Sequence, residues 1–213
     1  MTPIWQHSEK RRRLPAGQVT EQRPQAPTVV ALAGMPGAGK STLAAALASA
    51  LDLRLADLDE EIAVREGASV AEIFRRHGEG GFRDREVAEL ARLLSRPDRT
   101  PLVIALGGGT GVADRRSAEL LRGRARVIYL WCTPAHLLVA LQDEQERMKR
   151  PLLAEGDMKE RLERLYGERH PRYLELADLV LGPDLPWEDL RVRALTELRE
   201  WFGAIGSAAG EVS

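Results

Sequence analysis

Gly34-Met35-Pro36-Gly37-Ala38-Gly39-Lys40-Ser41 is a complete G-x-x-x-x-G-K-S/T sequence, the pattern of a phosphate-binding loop (P-loop). It follows an apolar run at 28–33 and precedes a helix-forming run at 42–51, which is the strand–loop–helix setting that the pattern requires. The glycines let backbone N–H groups turn inward around phosphate oxygens, and the following helix adds the positive end of its dipole. The sequence therefore predicts binding of a nucleoside triphosphate.

Two side chains of this loop have separate predicted roles. Lys40 reaches the β- and γ-phosphates, where it also serves catalysis, and the Ser41 hydroxyl is a ligand for Mg²⁺. The predicted phosphate contacts are Gly37, Ala38, Gly39, Lys40, Ser41 and Thr42.

The size and composition of the chain are those of one globular domain. Its 213 residues, 44% hydrophobic and 30% charged, are enough for a single core. The net charge of −1 gives no overall attraction to nucleic acid, and no apolar stretch approaches the roughly 18 residues of a membrane-spanning helix. The single cysteine, Cys132, suits a reducing compartment. We therefore expect a cytoplasmic monomer with no nucleic-acid or membrane partner.

The N-terminal segment has a different composition from the rest of the chain. Residues 1–26 are polar and rich in Pro, Gln and Arg, which predicts a disordered arm. The basic cluster at 10–13 lacks the apolar segment of a secretory signal, and we interpret it as solvated, with a partner contact as the alternative. Residues 27–204 are predicted to form a single domain, and 205–213 a flexible tail.

Short apolar runs alternate with helical patterns along this domain. Near-continuous apolar strands separated by helices indicate a parallel sheet covered on both faces. The sequence therefore predicts an α/β fold with three layers, α/β/α, around a five-stranded parallel sheet. The predicted strands are 28–33, 54–56, 101–106, 125–131 and 179–181. The predicted helices are 41–51, 60–66, 70–76, 83–94, 114–121, 134–144, 158–166 and 187–202.

Two longer segments interrupt the alternation. Residues 59–95 contain helical patterns with no strand between them, which predicts a helical subdomain for substrate binding beside the sheet. Residues 142–158 are densely charged and broken by Pro151 and Gly156, which is typical of a mobile lid. Because ligands of open α/β sheets bind at the carboxyl ends of the strands, the loops there should carry the chemistry.

Two acids follow the second predicted strand. Asp57 and Asp59 are alternate residues, so their carboxylates can share one side while Leu58 packs inward. One carboxylate would support Mg²⁺, and the other would accept a proton from an alcohol substrate. For Asp59, an N-cap of the next helix is the alternative.

Three arginines and a glycine run complete the candidate site. Arg83 follows a predicted turn at 78–81 and lies in the first turn of the next predicted helix. A cation there is unfavourable for the helix dipole, so this position favours a ligand-binding role for Arg83. Arg150 lies in the predicted lid and would clamp the transferring phosphate. Arg169 lies near a predicted helix end, so a ligand role and a dipole role both remain open. Gly107-Gly108-Gly109 suits close backbone approach to a ligand or, alternatively, a tight turn.

These motifs, in this order, resemble those of the shikimate kinase family. The order continues through Ile73-Phe74, Gly78-Glu79, Phe82-Arg83-x-x-Glu86, the three glycines, Arg150-Pro-Leu-Leu and Arg169-x-x-x-Tyr173. The resemblance covers roughly residues 28–190. It implies a P-loop kinase fold that uses Mg²⁺ and transfers the γ-phosphate of ATP to the 3-hydroxyl of shikimate, in the pathway to chorismate and the aromatic amino acids.

The resemblance also implies a role for each site residue. Asp59 would hold the acceptor hydroxyl, Asp57 would support Mg²⁺, and Arg150 would close over the phosphates. The shikimate carboxylate would bind Arg83 and Arg169, and the backbone of Gly107, Gly108 and Gly109 would contact the ring. Pro186 would contact adenine.

One feature of the family is missing from this chain. The family usually has an arginine, which stacks on adenine, late in the helix after strand four, whereas 137–141 reads Leu-Leu-Val-Ala-Leu. Two alternatives therefore stay open, namely a kinase for another small hydroxy acid or polyol, and a non-catalytic nucleotide-binding regulator.

Overall fold

The predicted parallel sheet is present, and its inner strands are buried on both faces. The computed structural model describes residues 28–98, 100–141, 157–183 and 185–209, with side chains as far as residue 203. Five strands pair in parallel in the order β2-β3-β1-β4-β5. The strands are β1 (Val29–Ala33), β2 (Arg54–Asp57), β3 (Leu102–Ala105), β4 (Arg126–Leu130) and β5 (Leu179–Leu181).

Every residue of β1 and β3 is buried, which explains their unbroken apolar sequence. The register places Leu32 beside Ala105 on one side and Ile128 on the other, so the P-loop leaves the centre of the sheet between the ends of β3 and β4. This confirms the predicted three-layer α/β fold of the P-loop kinase type.

Seven helices are present in the described ranges. They are α1 (Lys40–Leu51), α2 (Leu58–Glu66), α3 (Val70–Leu94), α4 (Arg115–Leu121), α5 (Pro134–Ala140), α6 (Met158–Leu176) and α7 (Trp187–Ala209). In this part of the chain, none of them combines the length and apolar composition that crossing a membrane requires.

The predicted break between the helices at 70–76 and 83–94 is present, because Gly78 has a non-helical φ of 67° and ψ of −176°. The two helical segments meet at this kink and are named together as α3, so the predicted turn at 78–81 is confined to Gly78. The helix predictions were wrong at two places. Helix α6 continues to Leu176, so Arg169 lies inside it and not near its end. Helix α7 extends to Ala209, into the predicted tail. The predicted arm at 1–26 and most of the predicted lid lie outside the described residues.

Helices α2 and α3 contact each other and follow one another without a strand between them, and their role as a substrate-binding subdomain stays a prediction. A buried carboxylate links them, because Glu89 of α3 accepts hydrogen bonds from Arg65 of α2 (2.6 Å) and from Arg92 (2.7 Å). Phe74 and Phe82 pack across the kink with ring centroids 4.5 Å apart and ring planes tilted by 31°. These contacts fix the part of α3 that carries Arg83.

Candidate active site

The P-loop has the backbone conformation of an anion-binding turn. Gly37 and Gly39 have φ values of 84° and 81°, a left-handed region that side chains disfavour. Helix α1 begins directly after Gly39 with no side-chain cap and no acid in its first turn. Its first N–H groups are therefore available to phosphate oxygens, which the helix dipole also favours.

Lys40 is buried at the base of this loop. Its Nζ donates to the carbonyl oxygens of Gly34 and Met35, both at 3.0 Å. Both acceptors are neutral carbonyl oxygens, and a phosphate group at this loop would gain a charge-assisted hydrogen bond from the buried ammonium. The structure thus places Lys40 where the sequence predicted a phosphate ligand.

Ser41 and Asp57, the two residues predicted at Mg²⁺, are in contact. The Ser41 hydroxyl donates to Asp57 Oδ2 at 2.6 Å. A hydroxyl and a carboxylate beside a phosphate loop are the hard oxygen ligands that Mg²⁺ prefers, so the residues fit the ion. The described part of the chain contains no cluster of three His, Cys, Asp or Glu side chains suited to a metal. Phosphate and water oxygens would therefore complete the coordination.

Asp57 and Asp59 differ in their structural setting. Asp57 ends β2 and caps α2, because its Oδ1 accepts from the N–H groups of Asp59 (3.1 Å) and Glu60 (3.4 Å). The alternative N-cap role for Asp59 is therefore wrong. Asp59 lies in the first turn of α2, half-buried, so the two carboxylates do not alternate along one strand as expected. Leu58 is fully buried, as predicted.

Gly107 brings two carboxylates together. A Cβ at this position would lie 2.7 Å from Asp59 Oδ1 and 2.7 Å from Glu86 Oε1. Real Cβ atoms do not approach oxygen this closely, so any side chain here would displace one of the acids. The first glycine of the 107–109 segment (the glycine loop) therefore shapes the position of Asp59.

Arg83 forms the centre of a buried charge network. The side chains of Arg83 and Glu86 are 9% and 2% exposed, and Arg83 Nη1 donates to Glu86 Oε2. Arg83 Nη2 donates to Glu79 (3.0 Å), and the Thr110 hydroxyl donates to Glu86 Oε1 (2.6 Å). Burial alone would lower the pKa of the Arg83 guanidinium, but the charges and hydrogen bonds of Glu86 and Glu79 hold it above its ordinary value.

Arg169 is a buried cation of a different kind. It is 6% exposed, and its Nη1 donates to the carbonyl oxygen of Gly108 at 2.7 Å. Within the described ranges no carboxylate forms an ion pair with it, and burial lowers its pKa from the ordinary value. An arginine keeps its charge under these conditions. A buried cation that lacks an acidic partner is a favourable binding site for a substrate carboxylate.

A cleft of about 610 Å³ opens beside Arg169. Four arginines and two glutamates line it, so its positive charge exceeds its negative charge. The volume is in the range of small-molecule sites, and the charge suits an anion. Its charged lining residues are Glu79, Arg161, Arg164, Glu168, Arg169 and Arg172.

A tyrosine connects the two loops of the site. The Tyr173 hydroxyl lies 3.0 Å from the carbonyl oxygen of Gly34 in the P-loop and 2.7 Å from that of Gly108 in the glycine loop. Tyr173 is fully buried in α6, one turn beyond Arg169. The motif Arg169-x-x-x-Tyr173 included this residue, but the sequence assigned it no role.

Most residues predicted at the site lie around the carboxyl ends of β1, β2 and β3. The glycine loop also touches Arg83, because a Cβ on Gly109 would lie 2.6 Å from a guanidinium nitrogen. Arg150 lies outside the described residues. Pro186 is exposed just before α7, where its carbonyl accepts from the Leu190 N–H at 3.0 Å, and its adenine contact stays a prediction.

Three further site residues had no predicted role. Glu79 and Glu86 partner Arg83, and Thr110 partners Glu86. The i, i+3 spacing of Arg83 and Glu86 was a usable signal, since side chains at this spacing meet on a helix. Thr110 gave no such signal, because its partner is 24 residues away in sequence.

Comparison with known proteins identifies relatives of the whole domain. The family model for shikimate kinase matches residues 36–193. A shikimate kinase of Nitrobacter winogradskyi is 39% identical over 159 residues, covering 75% of this chain and 71% of that protein. One of Halorhodospira halophila is 41% identical over 155 residues, covering 73% and 84%. A structure of shikimate kinase from Acinetobacter baumannii in complex with shikimate superposes with a TM-score of 0.72 at 30% identity, covering 89% of this chain and 97% of that one.

Proposed function

The chain belongs to the shikimate kinase family, and on this basis we propose that it transfers the γ-phosphate of ATP to the 3-hydroxyl of shikimate. The products are ADP and shikimate 3-phosphate. The observation that supports this most directly is the pair of buried guanidinium groups, Arg83 and Arg169, that lie against the glycine loop. Planar guanidinium forks match a carboxylate bidentately, and shikimate carries one carboxylate.

Asp59 is the proposed base. Its carboxylate lies beside Gly107, the first residue of the glycine loop. It accepts the proton of the acceptor hydroxyl as the hydroxyl oxygen forms its bond to the γ-phosphorus and the bond to the ADP oxygen breaks. Because the transition state is loose and spreads charge over the phosphoryl oxygens, correct positioning and nearby cations provide most of the acceleration.

Lys40 and the N–H groups of the P-loop hold the phosphates, and Arg150 of the predicted lid is proposed to add a second positive charge over the transferring group. Ser41 and Asp57 are the proposed Mg²⁺ residues, and when bound the ion neutralises charge on the phosphates. Gly37, Ala38, Gly39 and Thr42 complete the proposed phosphate site.

The setting of the reaction follows from composition. We propose that the protein acts as a monomer in the cytoplasm, without nucleic-acid or membrane partners. The net charge of −1 and the single cysteine support this assignment. The helical subdomain of α2 and α3 is the proposed acceptor-binding part of the single domain, and 142–158 the proposed lid.

The experiment that tests the function is ADP release with Mg·ATP, comparing shikimate, quinate, gluconate and no acceptor, each with and without EDTA. We expect rapid turnover with shikimate alone and its loss on chelation of the metal. Faster turnover with gluconate or quinate would instead identify a kinase for another hydroxy acid. ATP binding without turnover on any of the three acids would favour a regulator.

Substitution of Arg169 by Gln is expected to raise the KM for shikimate by about 10- to 150-fold. The reason is the loss of charge-assisted hydrogen bonds worth about 1.5–3 kcal/mol. Because Arg169 has no carboxylate partner in the described part of the chain, the change leaves no buried acid behind. Steady-state kinetics would measure it, with the KM for ATP expected to stay within about threefold, since no charge-assisted bond to the nucleotide is removed.

Arg164→Gln is the matched control, since Arg164 lines the same cleft on the same helix but is exposed. Its effect on the KM for shikimate should be far smaller. If Arg169→Gln raised the KM values for ATP and shikimate by the same factor, the assignment of Arg169 to the acid would be contradicted.

A further inference from the structure

The Tyr173 hydroxyl is shared between a loop that serves the nucleotide and a loop that serves the acid. It lies within hydrogen-bond distance of Gly34 O (3.0 Å) and Gly108 O (2.7 Å). The ring is fixed, because it is fully buried and stacks on Tyr129 with centroids 4.8 Å apart and planes 17° apart. A hydroxyl carries one proton, so the two carbonyl oxygens compete for it.

Each of these carbonyl oxygens has a second donor, and each second donor is a cation of the site. Gly34 O accepts from Lys40 Nζ at 3.0 Å, and Gly108 O accepts from Arg169 Nη1 at 2.7 Å. Four polar contacts therefore run in sequence from Lys40 to Arg169, and the single Tyr173 proton can serve only one of the two at the centre. One end of this series is the phosphate ligand, and the other is the proposed carboxylate ligand.

We propose that Tyr173 is a positioning residue that makes nucleotide binding and acid binding mutually favourable. Phosphates draw Lys40 away from Gly34 O, and the buried Gly34 O then takes the Tyr173 proton. Gly108 O is left with Arg169 as its donor, which holds that guanidinium in place. Arginine has five N–H groups, so Arg169 can keep this bond while others bind the carboxylate. This inference rests on the proposed function for the identity of the two ligands.

The same argument holds in the reverse direction. An acid that fixes Arg169 on Gly108 O frees the Tyr173 proton for Gly34 O, which releases Lys40 for the phosphates. Thermodynamic linkage requires the two effects to be equal. Burial raises the pKa of the Tyr173 phenol, so the hydroxyl keeps its proton and remains a donor at neutral pH.

The test is the dissociation constant of shikimate, measured by titration calorimetry without nucleotide and with saturating ADP. Wild-type protein should bind shikimate about fivefold more tightly or better with ADP present, the lower end of typical couplings. In Tyr173→Phe the ratio should fall to within about twofold of unity, because the shared proton is gone. The variant keeps the ring, so the fold should change little. The affinity for ADP alone should fall, because Gly34 O has no second donor when Lys40 moves to the phosphates, so the ratio of the two shikimate affinities is the readout.

Tyr129→Phe is the matched control. It removes another buried tyrosine hydroxyl, which lies 2.8 Å from His170 Nδ1 and outside the series, so the coupling should persist. The inference would be overturned, and the proposed function left intact, if Tyr173→Phe kept the full coupling. The same holds if the wild type bound both ligands without any coupling between them. A wild-type protein that does not bind shikimate would overturn the proposed function as well. The affinity for ADP with and without shikimate must give the same ratio.

Discussion

Asp59→Asn is expected to lower kcat by about 10²- to 10⁴-fold, the usual contribution of a general base. Asparagine has nearly the same shape but cannot accept the proton of the acceptor hydroxyl. Asp59 also lies against Gly107, so the substituted amide remains in the same position. Stopped assays of ADP release at saturating ATP and shikimate would measure the loss, and thermal unfolding would confirm that the variant is folded.

Glu60→Gln is the matched control for this prediction, because Glu60 is the neighbouring acid in the first turn of α2 and is exposed. Its kcat should stay near the wild-type value. ATP affinity should be unchanged in both variants, since Asp59 makes no proposed contact with the phosphates. A kcat of Asp59→Asn close to that of the wild type would remove Asp59 from the mechanism.

Arg83→Met is expected to lower the free energy of unfolding by about 3–5 kcal/mol, the usual consequence of leaving one partner of a buried ion pair behind. Glu86 is 1% exposed, and without Arg83 its charge has the Thr110 hydroxyl as its remaining hydrogen-bond partner among those described. Urea unfolding would measure the change. Arg76→Met on the same helix, whose ion pair with Glu72 is largely exposed, should lose only about 0–1 kcal/mol.

The double variant Arg83→Met/Glu86→Leu separates stability from binding. Replacing both members of a buried ion pair by apolar residues is often neutral, so most of the stability should return. Shikimate affinity should stay low, because the guanidinium is still missing. If the double variant bound shikimate normally, Arg83 would be a structural residue only. A single Ala substitution at Arg83 would mix these two effects.

The sequence predicted the parts of the site that depend on local patterns. The P-loop and the buried strands follow from spacing within short segments, whereas Asp59 lies in the first turn of α2 and not on the strand with Asp57 as expected. The prediction of Arg83 and Arg169 as acid ligands used expected positions at helix ends. In the structure Arg83 lies beyond the first turn after the kink at Gly78, and Arg169 lies inside α6. Their roles stay predictions, but both are buried beside the glycine loop.

What the sequence could not predict depends on contacts between distant segments. Three glycines within residues 78–81 indicated a turn, and the break is present but confined to Gly78, with Phe74 and Phe82 packed across it. The pairing of Thr110 with Glu86 and of Tyr173 with Gly34 joins residues 24 and 139 positions apart. No local pattern reports such pairs, because they arise only when the sheet brings its loops together.

The segment that lacks the family's adenine arginine has a structural role in this chain. Leu137 and Leu141 are fully buried, and Leu141 lies so close beneath Gly37 that a Cβ there would be 3.1 Å from it. Val139 is 67% exposed on the outer face of α5. The buried leucines of this segment therefore pack against the P-loop. Val139 is the exposed residue of the segment, and it carries no charge that could contact adenine.

The two acid-binding arginines differ in how much positive charge they have left for a ligand. Arg83 is neutralised by a buried glutamate, whereas Arg169 is bonded to a neutral carbonyl. Arg83 also has a second acidic partner, Glu79, at 3.0 Å, so the positive charge available to a ligand lies mainly on Arg169. A substrate carboxylate should therefore gain most of its electrostatic attraction from Arg169, whereas Arg83 contributes mainly the geometry of its hydrogen bonds.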